Sequence, residues 1–267
     1  MVEIDYHDLC PNREKKKIKM HLFKMFTSIS KNYRFRKPEL ELTFDYSLKL
    51  QIIIGIVSLV GLTIKLKKED YILYKILLIE TIVQFVEFFW YYIFYHYEFN
   101  KIPIKDIASK RYQDWYISTP IMLLSTALFM QYTYEKEKNL KISTLKESLS
   151  ENYNPLIWIG IFNALMLFYG QKYEQAIKEK QNSKNYLFLG FLFFFLSFGI
   201  LYNVFASKST KGTYLFYFVF GIWILYGFAA TQRPLPKNIY YNILDIISKN
   251  FYGIYILYEI YQNRVDL

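Results

Sequence analysis

Only one cysteine, Cys10, occurs in 267 residues, so an internal disulfide framework and a cysteine-built metal site are both excluded. Histidine is nearly as scarce, and His7, His21 and His96 are scattered without ligand spacing. Ten glycines are present, but no glycine-rich phosphate loop. The N-terminal stretch is charged and has no early apolar run, so a cleavable signal peptide is not expected. Acids are outnumbered, 23 against 33 lysines and arginines, for a net charge of +10. The lysines are spread over loops rather than gathered in one patch, which fits a membrane interface and not a nucleic-acid partner. Nothing here reads as an enzyme.

What is abundant is apolar and aromatic surface: 53% hydrophobic residues, with 27 tyrosines and 24 phenylalanines. It comes in blocks separated by short lysine-rich segments. A spanning helix needs about 20 mostly apolar residues. Seven blocks qualify, at about 46–65, 71–95, 108–132, 155–171, 186–206, 213–231 and 238–261, the fourth being the shortest. The expected organisation is a basic extension, 1–43, followed by an all-α seven-helix domain, 44–267, lying in the lipid bilayer. In the extension, "REKKKIK" and "KNYRFRK" flank "MHLFKMFTSIS", which reads as a short surface helix or as a loosely docked tail. Charge counting does not orient the bundle. The two sets of loops carry nine basic residues each, before the ten of the extension.

Charges inside the blocks carry the functional signal. "RYQDWYISTP" sets Arg111, Asp114 and Trp115 at the mouth of the apolar run "IMLLSTALFM", although a charge in hydrocarbon costs several kcal/mol. Asp114, Ser118 and Ser125, at 0, +4 and +11, fall on one helix face. Trp115, Thr119 and Met122 lie on the adjacent flank and make a wall for a flat hydrophobic ligand, or ordinary helix packing. In the last block Asp245 and Lys249 are four apart and share a face, so a structural ion pair between them is one reading. An intramembrane lysine is by default a functional candidate. Asp114 also needs a cation, so two acids compete for few bases.

"RYQDW…STP" in the third block and "LDIISKN" in the seventh resemble the signatures of microbial (type 1) rhodopsins. The resemblance implies a seven-helix bundle in which Lys249 forms a Schiff base with all-trans retinal. It implies Asp114 and Asp245 as counterions and Arg111 on their extracellular side, with the N-terminus outside. "WILYG" in the sixth block, with Trp223, Tyr226 and Gly227, matches the family's aromatic cluster against retinal. Proline is more usual there than Gly227.

The family's proton pumps carry a carboxylate where this chain has Ser125, and the loop "TQRPLPKN" holds no acid for outward release. In the second block, "IETIVQFVEFFWYY" sets Glu80, Gln84 and Glu87 on one narrow face, continued by Tyr91 and reaching Glu98. A column of acids suits cation conduction, while protonated glutamates in a hydrogen-bonded seam are the alternative. This stretch, and Asn250 after Lys249, resemble the viral channelrhodopsins. That resemblance implies a light-gated path for monovalent or divalent cations or protons through Glu80, Gln84, Glu87 and Asn250, with Ser125 alongside. An outward proton pump and a sensor without transport are the competing readings; a homo-oligomer is left open.

Overall fold

The computed structural model describes residues 37–265, with side chains from Pro38 onward. The expectation of a surface helix within the basic extension lies outside the described residues.

Seven long helices follow one another in the order the apolar blocks predict. The first, α1, is Lys37–Gly61 and takes in residues 37–43, which the sequence reading assigned to the extension. Helix α2 is Ile72–Ile93 and runs on through a π-helical turn, Phe94–Glu98. Helix α3 is Ile104–Glu137, bent around an internal Pro120 that cannot donate to the helical ladder. Helices α4 (Tyr153–Lys178), α5 (Lys184–Ile200, continued by a π turn Leu201–Phe205) and α6 (Thr210–Ala230) follow. Helix α7 starts with prolines in its first turn, covers Pro234–Asp245, passes through a π-helical turn Ile246–Phe251, and ends as Tyr252–Gln262. A seven-residue helix, Leu145–Glu151, stands between α3 and α4. Among the described residues β structure is limited to one isolated bridge, Leu66 to Arg264.

The distribution of polarity is inverted relative to a water-soluble domain. Phe188, Phe89 and Val60 are more than 60% exposed, whereas Glu80, Glu87 and Asp245 are 0% and Lys249 is 2% exposed. Apolar residues outside and ionisable residues inside is the arrangement a bilayer imposes. Among the described residues, Pro38–Gly61, Lys184–Lys208 and Thr210–Ala230 are long and apolar enough to cross a membrane by composition alone, with mean hydropathy 1.4, 2.1 and 1.6. Helices α2, α3, α4 and α7 each bury polar or charged groups as well.

Helix α4 extends well past the predicted 155–171 at its C-terminal end, because its last turns are polar and leave the apolar block while staying helical. There Glu174 accepts both of its short contacts from the Lys237 ammonium, 2.8 Å to each oxygen, a buried pair joining α4 to α7.

Candidate functional site

The site forms where α2, α3 and α7 face one another. Lys249 Nζ donates to Asp114 Oδ2 at 2.8 Å, so the cation that keeps Asp114 inside the bundle comes from α7. Asp245, one turn before Lys249 on the same helix, lies further away at 3.9 Å. The reading of Asp245 and Lys249 as a self-contained ion pair therefore loses to the cross-helix contact. The reason is local: the π turn beginning at Ile246 widens the helix between the two residues and takes them off the alignment of an α-helical turn.

The third neighbour of the amine is Glu87, at 3.4 Å. The sequence reading set Glu87 in an ion path and not at the lysine; it stands in both. Three carboxylates thus meet one ammonium, and the only other cation of the cluster is Arg111.

Arg111 occupies the next level. Its guanidinium reaches Asp245 Oδ2 at 3.1 Å and the Tyr91 hydroxyl at 2.8 Å, and it also donates to Asn242 Oδ1 and, at 3.4 Å, to Asn238. Four aromatic rings, Phe44, Trp90, Tyr91 and Tyr241, lie 5.2–5.7 Å from its central carbon. Such a cage stabilises a desolvated cation through the ring faces. Asp245 receives two further bonds, from Tyr91 and Tyr226, each 2.7 Å. The two expected counterions are therefore not equivalent. Asp245 is fixed by Arg111 and two tyrosines. Asp114 has Lys249 on one oxygen, and its other oxygen has no hydrogen bond among the described residues.

From Glu87 the polar face of α2 continues to Gln84, whose amide oxygen accepts from Ser58 of α1 at 3.3 Å, and to Glu80, which accepts from the Ser125 hydroxyl. Gln84 packs directly on Gly253 of α7: a side chain there would lie 2.3 Å from the Gln84 amide nitrogen. Asn250 is fully buried, and neither of its side-chain polar atoms has a hydrogen bond among the described residues. Glu98 leaves the column; it lies at the surface and pairs with Lys110 at 3.3 Å.

Beside Lys249, on the side away from α2, an apolar cavity opens between α3, α4, α5, α6 and α7. Trp115, Thr119, Met122, Trp223, Tyr226 and Gly227 all line it, as expected for a wall against a flat ligand. Trp115 meets Tyr226 and Tyr241 edge-on, with centroids 5.5 and 5.0 Å away. Thr119 is tied down by Asn163 of α4, which donates to its hydroxyl at 2.9 Å. Gly227 lets Phe191 approach: a methyl group there would meet the ring at 2.4 Å unless the ring shifted. Ser118 is buried between the cavity wall and the polar column, with a hydroxyl that finds no partner among the described residues.

Sequence reasoning missed Asn238 and Asn242, which with Asp245 and Lys249 repeat at 0, +4, +7 and +11 along α7. That spacing was available. It missed Asn163 and Phe191, single residues on otherwise apolar helices, for which no sequence signal existed.

A buried lysine ringed by carboxylates beside an apolar cavity, inside seven helices, defines a chromophore-binding membrane protein. The bacteriorhodopsin-like family's sequence profile matches residues 43–263, and the chain belongs to that family. Among solved structures it is similar to the viral rhodopsin OLPVRII, with 26% identity and a TM-score of 0.69 over 84% of this chain and 98% of that one. Two more distant structures share the fold. The light-driven proton pump of Coccomyxa subellipsoidea has 16% identity and a TM-score of 0.63 over 85% of this chain and 98% of its own. Halorhodopsin, a light-driven chloride pump, has 14% identity and a TM-score of 0.65 over 86% and 98%. A search of curated protein sequences returned no match. The expected fold, a microbial rhodopsin bundle with viral affinity, is therefore borne out, and the protein is an integral multi-pass membrane protein. The family binds retinal, and the residues present fit that group: an amine lining an apolar cavity, an acid beside it, and aromatic walls.

Proposed function

We propose that the protein is a light-gated cation channel, with all-trans retinal carried on Lys249 and the Arg111 side of the bundle facing outward. One observation carries this reading. The buried acids and amides of α2, from Tyr91 through Glu87 and Gln84 to Glu80, form a continuous column that meets the carboxylates around Lys249. Buried acids are costly unless they face a polar interior or a path for ions.

Retinal supplies light absorption and a light-driven change of shape. The remaining roles belong to this chain. Lys249 holds the positive charge, and Asp114 Oδ2 is its nearest acceptor. Asp114 is accordingly the group that takes up the proton leaving Lys249 Nζ. Asp245, held by Arg111, Tyr91 and Tyr226, stays charged and keeps Arg111 in place. Three carboxylates against two cations leave one surplus negative charge. Glu87 has no hydrogen-bond donor of its own among the described residues beyond its 3.4 Å approach to Lys249. It is the carboxyl of the cluster least held by its neighbours. Once Asp114 is neutralised the Lys249–Asp114 attraction is lost, Glu87 and Asn250 are freed to rearrange, and cations pass along the α2 face.

A second reading, outward proton transport, has one specific support. Ser125 stands where the family's pumps carry an acid, and the Ser125 hydroxyl bonds Glu80, so α2 delivers a carboxyl to that position. Voltage-clamp recording under illumination separates the two. A photocurrent whose sign reverses with the cation gradient supports the channel. A current that stays outward at every voltage supports the pump, and none at all leaves a sensor.

A further inference from the structure

The polar column ends abruptly. One turn beyond Glu80 on α2, Ile76 and Leu77 are 0% exposed. One turn beyond Ser125 on α3 stands Phe129, and one turn beyond Tyr252 on α7 stands Ile256, both 0%. These levels coincide. The Glu80–Ser125 bond fixes α2 against α3, Gln84 packed on Gly253 fixes α2 against α7, and Phe129 meets Tyr255 edge-on at 5.5 Å. A further turn along, Leu73 and Ile260 are again 0% exposed. At that second turn polar groups return, as buried Thr133 on α3 and as Glu259, paired with Lys211 at 3.0 Å, on α7, and Asp70–Lys136 at 2.6 Å follows past Leu73. All three helices that carry the column thus turn apolar together for one turn, about 5 Å of helix.

The geometry points to Ile76, Leu77, Phe129 and Ile256 as the barrier that closes the path in the dark, an apolar plug whose wetting is the opening step. The inference rests on the channel reading above. A hydrophobic constriction stops ions by excluding water and needs only a small widening to conduct. The two pairs beyond it tie the α1–α2 connection to α3, and α6 to α7, so the plug is braced by contacts that hold helix ends and not by the plug residues themselves. On the other side, the π turn of α7 lies immediately before Tyr252, which gives the helix a weak point from which the Ile256 segment can shift.

The test uses the full chain in lipid vesicles, with a cation-sensitive dye inside, with and without added retinal. Ile256→Asn is expected to raise the dark cation leak several-fold in both the retinal-bound and the retinal-free protein, while the visible band is retained. Wild-type vesicles stay tight in the dark. If Ile256→Asn keeps its colour and its vesicles stay as tight as wild type, the plug is not the barrier. Should that variant fail to assemble, amide exchange of Tyr255–Ile260 in the wild type decides: faster exchange under illumination supports the proposal, and unchanged exchange overturns it. A leaking variant beside a wild type without photocurrent would sink the channel reading and leave the barrier standing. A wild type that conducts beside a tight variant does the reverse.

Discussion

The two halves of the bundle, on either side of Glu80, are built from the same three helices and differ in what they bury. On the Arg111 side, α2, α3 and α7 bury Tyr91, Glu87, Arg111, Asp114, Asp245, Asn242 and Asn238 in one network. On the Lys136 side the corresponding positions are Leu73, Ile76, Leu77, Phe129, Ile256 and Ile260, and the polar groups retreat to the rim. The first half is specified by hydrogen bonds and ion pairs with fixed partners, the second by packing. A change in the first half should therefore alter charge and colour, and a change in the second should alter stability or the dark leak and leave the colour as it is.

Removing Lys249 tests that contrast most severely. Lys249→Ala is expected to abolish the visible band of the retinal-supplied protein altogether, and absorption spectroscopy reads it directly. A band that survives would remove Lys249 from the site and with it the meaning of the polar half. Arg111→Gln comes next. It leaves Asp245 and the two tyrosines without their cation, and breaking a buried pair costs about 3–5 kcal/mol. Thermal unfolding in detergent should show a large drop in midpoint together with a shifted absorption maximum. On the apolar side, Leu73→Ala should cost about 2–5 kcal/mol by the cavity it leaves, with the maximum unmoved. If Leu73→Ala changes colour, the two halves are not separable.

The contrast also explains what could be read in advance. Seven spans and their order follow from apolar runs of bilayer length, a strong signal even where acids interrupt it. Asp114, Lys249 and Arg111 were legible because charge inside such a run needs a reason. The start of α1 was not, since Glu39, Glu41, Asp45 and Lys49 dilute its apolar pattern while the helix continues regardless. Nor was the closeness of Glu87 to Lys249, because periodicity assigns a residue to a face but does not say which helix that face meets. The π turn in α7 was equally invisible, and it is what separates Asp245 from Lys249. The apolar plug could not be distinguished from ordinary core before the three helices were aligned by the Glu80–Ser125 and Gln84–Gly253 contacts.

A finer probe within the polar half is Tyr226→Phe. It removes one donor from Asp245 and the contact with Ser248 while keeping the ring against Trp115. A hydrogen bond to a charged group is worth about 1.5–3 kcal/mol, and here two other donors remain on Asp245, so the loss should fall at the low end. The expected result is a small drop in thermal midpoint with a measurable shift of the absorption maximum. An unshifted maximum would mean that Asp245 does not sense the chromophore.

The smallest effect lies outside both halves, in the α3–α4 connection, and it sharpens the comparison because it must leave both untouched. The Glu147 carboxylate accepts from the Thr144 backbone N–H at 2.7 Å and from Lys141 at 2.9 Å, while the Thr144 hydroxyl accepts from the Glu147 N–H. This is a capping box at the start of the Leu145–Glu151 helix. The Thr144 N–H above all, then Lys141, hold the Glu147 carboxyl down at about 2, against an ordinary value of 4.5. A depressed carboxyl contributes its stability fully above the unfolded value and loses it as pH falls from 4.5 toward 2. The protection factors of the 145–151 amides, with the intrinsic pH dependence of exchange divided out, should accordingly fall across that window in the wild type and be low at every pH in Glu147→Ala. Protection in the variant that still rises as the pH goes from 2 to 4.5 would assign the effect to another group. A change in colour would show that this connection is coupled to the site after all.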